Sequence, residues 1–245
     1  MTTINSLWIG TDLNEFGIIT AKSHLTHGHE FNLWVYRNMK SIPDGVAIRD
    51  ASEIIPRSVC RKWFENLHPQ QRFKHTKQTF ANYFRYKLIH KYGGWWVNMD
   101  GVCVKPFDFT EEYVLTGIDA IPRPELKNYP FNIINGTFKA PKEAPFLQSI
   151  IEEIEPMAQE GRHPRKFGMW GTVVFTKHAF KHGLEKYKTE QHVFCPFGFK
   201  ESERMFKEPN AEIPDWAYTV HLYNYVSKNE CVKDSIYDRL RREYL

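Results

Sequence analysis

Two pairs of polar side chains near the middle of the chain have the types and spacing of a ligand site. Asn82 and Arg85 are three residues apart, so they share one face if this segment is helical. The planar guanidinium of an arginine suits anionic oxygens. Asn98 and Asp100 are two residues apart and point the same way on extended backbone. A carboxylate binds hard divalent cations and an amide binds hydroxyls. The four residues therefore predict one polar pocket.

The surrounding residues predict the helix and the strand that must position these side chains. Phe80, Phe84 and Leu88 recur at four-residue spacing, which is typical of the buried stripe of a helix. Gly93-Gly94 favours a left-handed helix end, and Trp95-Trp96-Val97 suits a buried strand. Ligands bind at the carboxyl ends of strands in open α/β sheets. One helix face and one strand end can therefore deliver all four polar residues to the same place.

The whole segment resembles the sugar-nucleotide signature of GT-A glycosyltransferases. The Och1-like, capsular-polysaccharide-like family (glycosyltransferase family 32) and the catalytic core of clostridial glucosylating toxins share the pattern Asp-x-x-Arg-x-x-x-Leu-x-x-x-Gly-Gly-x-Tyr-x-Asp-x-Asp. This chain has Asn82-x-x-Arg85, then Tyr92-Gly93-Gly94-Trp95-Trp96, then Asn98-Met99-Asp100, at matching spacing. The resemblance implies a metal-dependent, retaining glycosyltransferase with a GT-A fold, which is an α/β, Rossmann-like fold with a mixed central sheet.

The resemblance also implies roles for individual residues. Asp100 is expected to bind Mn²⁺ or Mg²⁺, with His221 and Asn224 completing the metal shell. Asp100, Arg85 and Asn98 are the expected catalytic residues. A UDP-linked sugar is the favoured donor, and Trp8 is expected to stack on its base. The expected donor-binding residues are Trp8, Ile9, Gly10, Asn82, Arg85, Trp96, Asn98 and Met99.

Several alternatives remain open from the sequence. Asn82 and Asn98 replace acids of the family pattern, which could retune donor choice, weaken metal binding, or mark a relative that binds sugar nucleotide without turnover. A glycan is the favoured acceptor. The Arg57–Lys91 region, with nine lysines and arginines against one acid, keeps an anionic acceptor such as a modified base in DNA as an alternative. A protein acceptor is a third option.

Length and composition indicate the class of protein. A chain of 245 residues predicts a single domain with a substantial core. We expect residues 1–110 to bind mainly the nucleotide sugar, and residues 111–245 to form mainly the acceptor side and the C-terminal metal segment. The four cysteines lack metal-binding or redox spacing, which favours free thiols. The chain shows no apolar run of membrane-spanning length and no secretory leader, so a cytoplasmic protein without a transmembrane segment is expected.

The remaining pattern predicts further elements. A strand over residues 5–10, a helix opened by a capping box at Asp12-x-x-Glu15 and closed at Gly28, and a strand over residues 31–36 indicate a parallel, Rossmann-like start. The proline-rich region 117–145 predicts loop and short strand, although its Asn135-Gly136-Thr137-Phe138 resembles another family pattern. Helices are predicted over residues 146–157 and 173–182, and a strand over 217–221.

Overall fold

A computed structural model describes residues 2–65, 76–164, 166–223 and 231–245. The described part of the chain is an α/β structure built on a central seven-stranded sheet. The strands of the described residues, in this sheet and in a separate pair, are β1 (Thr3–Trp8), β2 (Glu30–Val35), β3 (Val46–Asp50), β4 (Gly94–Val97), β5 (Gly101–Cys103), β6 (Val114–Asp119), β7 (Phe131–Ala140), β8 (Lys188–Thr189) and β9 (Thr219–His221). Its α-helices are α1 (Glu15–Thr26), α2 (Arg57–Glu65), α3 (Thr76–Tyr92), α4 (Pro145–Gln159), α5 (Val174–Lys181), α6 (Gln191–Phe194), α7 (Arg204–Lys207) and α8 (Ile236–Tyr244).

The central sheet is mixed, as the sequence predicts. Its strand order is β3-β2-β1-β4-β7-β6-β8. The first four of these strands are parallel, whereas β7 runs antiparallel to both β4 and β6. Strands β5 and β9 form a separate antiparallel pair. Since β1 and β4 are parallel neighbours, their carboxyl ends lie side by side at one edge of the sheet.

The opening of the chain confirms the predicted strand–helix–strand unit, but the predicted helix start is wrong. Helix α1 is capped by Asn14, whose side-chain oxygen accepts a hydrogen bond from the Gly17 amide at 2.9 Å. The Asp12-x-x-Glu15 spacing matched a capping box, but the helix begins two residues later, after a side chain that caps equally well. The predicted end is confirmed, because Gly28 follows the helix with a φ of 77°.

Helix α3 and strand β4 form the predicted support for the polar residues. Phe80, Phe84 and Leu88 are completely buried. Gly93 has a φ of 71°, and a Cβ there would lie 2.6 Å from the Lys142 amide nitrogen. Only glycine fits this position, because it combines a left-handed backbone with a close backbone neighbour. The helix therefore ends sharply enough for β4 to begin at once.

The prediction of loop and short strand over residues 117–145 is wrong for residues 131–140. Strand β7 is ten residues long and lies in the sheet between β4 and β6. Proline is excluded from the middle of a sheet because it lacks an amide donor. The prolines that suggested a loop bracket this strand instead, at Pro122, Pro124, Pro130, Pro141 and Pro145. This correction brings Asn135 and Gly136 beside β4.

The later predicted elements are confirmed with shifted ends. Helix α4 begins one residue before the predicted start and α5 one residue after it, and β9 covers the last three residues of the predicted strand. In the described ranges, no helix combines the length and the apolar character needed to cross a membrane.

Candidate active site

The polar residues after β4 lie on a tight turn. The amide of Gly101 donates to the carbonyl oxygen of Asn98 at 2.9 Å, so the backbone from Asn98 to Gly101 reverses and the predicted extended geometry is wrong. Gly136 of β7 faces this turn, and its carbonyl accepts from the Asn98 amide at 2.8 Å. The turn thus places Asn98 and Asp100 at the carboxyl end of β4 by a different backbone path.

Asp100 and His221 lie against each other. The Asp100 Oδ1 and His221 Nε2 atoms are 3.2 Å apart, and the two side chains are 17 % and 16 % exposed. Pairing of β5 with β9 sets this distance, since Gly101 lies opposite His221 and the Leu222 amide donates to the Asp100 carbonyl at 2.8 Å. A carboxylate oxygen and an imidazole nitrogen at this separation suit two ligands of one divalent cation.

Asn98 is held by a buried tryptophan. Its Oδ1 accepts a hydrogen bond from Trp96 Nε1 at 3.1 Å, and Trp96 is 2 % exposed. A Cβ on Gly136 would lie 3.3 Å from Asn98 Nδ2 and 4.0 Å from His221 Nε2. Asn98 and His221 therefore converge on a position where the chain carries no side chain.

Arg85 is a buried cation beneath the site. It is 4 % exposed, and its guanidinium donates to the carbonyls of Ala81 and Asn135. The guanidinium also lies 4.7 Å from the centre of the Trp96 ring. Burial lowers the pKa of Arg85 to about 10, and the charge of Asp100 opposes this shift. Arg85 stays charged at neutral pH, within electrostatic range of Asp100.

Asn82 joins the site through residues that sequence reasoning did not assign to it. Its Oδ1 accepts from Asn135 Nδ2 at 2.9 Å, and Asn135 Nδ2 also contacts the Tyr86 hydroxyl at 2.5 Å. The Tyr86 hydroxyl in turn donates to the Trp170 carbonyl at 2.9 Å. The Asn135-Gly136 pattern was the available signal, but its role depends on β7, which the sequence did not predict.

A cavity of about 680 Å³ opens at the carboxyl ends of β1 and β2. Ile9 and Gly10, two of the predicted donor-binding residues, line it, and the Trp8 ring lies against Gly10. Asp100 and His221 are not among the described residues that line this cavity. The lining residues are Ile9, Gly10, Thr11, Tyr36, Arg37, Arg57, Ser58, Cys60, Arg61, Phe64, Glu65 and Lys77.

The side chain of Met99, another predicted donor-binding residue, lies near α1. Its Cε lies 3.3 Å from the position of a Cβ on Gly17. Asn224, predicted as a metal ligand, lies outside the described residues.

The basic Arg57–Lys91 region is partly neutralised in the described residues. Arg57 pairs with Asp50 at 3.0 Å, and Lys87 pairs with Glu155. Arg85 belongs to the interior rather than to the surface. The segment 66–75 lies outside the described residues.

Comparison with solved structures finds glycosyltransferases. The structure described as PaToxG glycosyltransferase has a TM-score of 0.53 and 16 % sequence identity, over 76 % of this chain and 71 % of that one. The UDP-bound glycosyltransferase domain from the YGT toxin has a TM-score of 0.53 and 6 % identity, over 82 % of this chain and 81 % of that one. No family model and no curated protein matches the chain. The chain therefore has the GT-A fold of these glycosyltransferases.

Proposed function

We propose that this chain is a retaining glycosyltransferase that uses a divalent cation to move a sugar from a UDP-type donor to a hydroxyl of a glycan. The observation that carries the proposal is the contact between Asp100 and His221, together with the convergence of His221 and Asn98 on Gly136 near the buried Arg85. This cluster lies at the sheet edge where α/β proteins bind ligands. The solved structure with UDP bound supports a uridine nucleotide as the donor class.

The cavity and the polar cluster suit the two ends of such a donor. Asn5 of β1 pairs with Trp96 of β4, so the segments that follow the two strands are neighbours. The nucleotide would occupy the cavity lined by Ile9 and Gly10, and the diphosphate and sugar would extend toward Asn98 and Asp100. Trp8 remains the candidate for stacking on the base.

The donor set at Asp100 and His221 fits a divalent cation. Carboxylate oxygens suit both Mg²⁺ and Mn²⁺, but Mg²⁺ is bound mostly through oxygen and water, whereas imidazole suits softer ions. The mixed oxygen and nitrogen set therefore favours Mn²⁺, and Asn224 remains a candidate third ligand. The chemistry that a bound cation supplies is neutralisation of the charge on the departing diphosphate.

The remaining residues bind and orient the donor. Arg85 adds a fixed positive charge that is desolvated before the donor arrives, which makes its attraction to phosphate oxygens stronger than in water. The amides of Asn82 and Asn98 suit sugar and ribose hydroxyls. Among the described partners of Asp100 are His221, Arg85 and the buried Cys195 thiol, whose pKa burial raises to about 12, and none of these three suits attack on a sugar carbon.

Retention is therefore proposed to proceed by same-face displacement. The bond between the anomeric carbon and the phosphate oxygen breaks while the acceptor oxygen bonds to the same face. The departing phosphate oxygen takes the acceptor's proton. Catalysis then comes from positioning and from electrostatic stabilisation.

An aromatic surface beside His221 favours a glycan acceptor. The Tyr223 ring lies 4.3 Å from the His221 ring, and the Phe199 ring lies 5.8 Å from Tyr223. Phe199 is 55 % exposed, so it offers a stacking face for a sugar ring. The nucleic-acid alternative depends on the Arg57–Lys91 region, where pairing and burial remove part of the positive charge.

Calorimetric titration of UDP with and without Mn²⁺ tests the donor site, followed by hydrolysis assays with UDP-, GDP- and dTDP-sugars. We expect Mn²⁺-dependent binding of UDP and slow hydrolysis of one sugar nucleotide. The Asp100→Asn variant should lose both. Asp119→Asn, which removes an exposed carboxylate at the end of β6, should retain both. Binding without hydrolysis of any donor would favour a relative without turnover, and absence of binding would refute the proposal.

A further inference from the structure

A second group of potential metal ligands is buried behind the Asp100–His221 pair. His24 lies in the last turn of α1, His29 lies just before β2, and Cys103 ends β5. His24 and Cys103 are completely buried, and His29 is 6 % exposed. One ligand atom from each residue lies within 4.8 Å of the other two. We propose that these three residues bind a thiophilic divalent cation such as Zn²⁺, at a site separate from the one that contains Asp100.

The hydrogen bonds of His24 leave one ring nitrogen available as a ligand. Its Nε2 lies 3.2 Å from the Gly101 carbonyl oxygen. A carbonyl only accepts, so Nε2 carries the proton and Nδ1 has the lone pair. Nδ1 is buried, and the described residues give it no hydrogen-bond partner. Buried polar atoms without partners are rare, whereas a metal-bound histidine commonly donates its other N–H to a backbone carbonyl.

The donor set determines the class of cation. Two imidazole nitrogens and one thiolate suit Zn²⁺, while Mn²⁺ and Mg²⁺ prefer oxygen ligands. The His29 Nε2 atom accepts the Phe107 amide hydrogen at 3.1 Å, so the cation would displace this hydrogen bond when it binds His29. Zinc bonds of about 2.0 to 2.3 Å require the three ligand atoms to approach one another by about an ångström. The Cys103 thiol donates to the Lys105 carbonyl at 3.3 Å. On binding, the thiol would release its proton and its sulfur would bond to the cation. Water or this carbonyl oxygen could then take the fourth position.

The backbone around the three ligands links this group to the Asp100 turn. Cys103 donates its amide hydrogen to Ser23 Oγ at 2.9 Å, next to His24 on α1. His24 bonds to Gly101, and Gly101 pairs with His221. A cation bound here would join α1, the start of β2, and β5. The expected role is therefore structural, and it does not depend on the proposed transferase activity.

Cobalt(II) is the spectroscopic probe for this site. Chelator-treated full-length protein is titrated with Co²⁺, and thiolate-to-metal charge-transfer absorption is recorded. We expect one equivalent with this absorption, displaced by Zn²⁺. Saturating Zn²⁺, at about a hundred times its dissociation constant, should raise the melting temperature by about 5 to 10 °C.

Three variants separate this site from other metal binding. Cys103→Ser keeps a polar group of similar size, and it should lose the charge-transfer band while circular dichroism shows an intact fold. Cys60→Ala removes a buried thiol from α2 and should keep the band, as should Asp100→Asn. No charge-transfer band in the wild type would overturn the proposal. The same would follow if Cys103→Ser retained both the band and the Zn²⁺-dependent stabilisation.

Discussion

Replacing Arg85 with methionine should weaken donor binding strongly while changing the stability of the fold by no more than about 2 kcal/mol. This expectation follows from the burial of a charge that the fold does not need. Arg85 is 4 % exposed, and no carboxylate accepts a hydrogen bond from it in the described residues, where its hydrogen-bond partners are backbone carbonyls. A methionine of similar length fills the same space beside Trp96 without the charge.

Opposing contributions determine the change in the free energy of unfolding. Burial lowers the pKa of Arg85 from 12.5 to about 10, so holding the charge at neutral pH costs about 3 kcal/mol. Methionine relieves that cost. It also leaves the Asn135 carbonyl without its donor, at about 1–3 kcal/mol, and removes a buried cation–π contact of about 2 kcal/mol. The net change should stay within about 2 kcal/mol.

The loss of UDP affinity in Arg85→Met should be much larger than the loss in a control variant that removes an exposed positive charge. A hydrogen bond to a charged phosphate is worth about 1.5–3 kcal/mol, which corresponds to a 10- to 100-fold weaker affinity for UDP. Urea unfolding measures the stability, and calorimetry with Mn²⁺ present measures the affinity. Lys142→Met is the matched control, because it removes one positive charge from an exposed turn. Unchanged UDP affinity in Arg85→Met would refute the donor role, and a loss above about 4 kcal/mol would show that the charge is structural.

Three further outcomes are expected. Gly136→Ala places a methyl group 3.3 Å from Asn98 Nδ2, so donor turnover should fall about tenfold with little change in melting temperature. Asn98→Asp adds a carboxylate beside the Asp100–His221 pair, so calorimetry should show about tenfold tighter Mn²⁺ binding. Burial acts to raise the pKa of Glu155, but hydrogen bonds from Lys87 and Tyr83 lower this pKa below 4.5. Its stabilisation is therefore present above pH 4.5 and lost as pH falls. Glu155→Gln should lose about 1–2 kcal/mol of unfolding free energy at neutral pH. In urea unfolding, its stability should also fall less steeply than that of the wild type as the pH is lowered.

Each of these outcomes has a result that contradicts it. Full turnover in Gly136→Ala would place the donor away from the Asn98 and His221 side chains. Unchanged Mn²⁺ affinity in Asn98→Asp would show that a carboxylate at this position lies too far from the cation to affect its binding. An acid dependence in Glu155→Gln identical to that of the wild type would show that another group causes the loss of stability.

Local sequence signals predicted the support of the site well. The buried stripe of α3, the glycine pair and the following strand are determined by residues within twenty positions of one another. Gly93 is an example. Only glycine tolerates both its positive φ and the close approach of the Lys142 backbone. Such local requirements are visible in a single sequence.

The part of the site that the sequence did not predict depends on contacts between distant segments of the chain. Asn135 lies more than fifty residues beyond Asn82, yet the two side chains share a hydrogen bond. Only the placement of β7 beside β4 creates this contact, and the flanking prolines concealed that strand. The metal group of His24, His29 and Cys103 was hidden for the same reason, because cysteine spacing carries no information about histidines on other elements.

Charge explains the two asparagines better than hydrogen bonding does. Asn98 Oδ1 accepts from Trp96, and Asn82 Oδ1 accepts from Asn135. A carboxylate could accept both bonds, so these contacts do not require an amide. Aspartates at both positions would add two negative charges to the one on Asp100, against the single buried Arg85. With asparagines, Asp100 is balanced by Arg85, so a diphosphate meets less repulsion and a cation is held less tightly. Of the alternatives left open by the sequence, we therefore expect weakened metal binding, with Arg85 supplying part of the attraction for the diphosphate that the cation supplies in the family pattern.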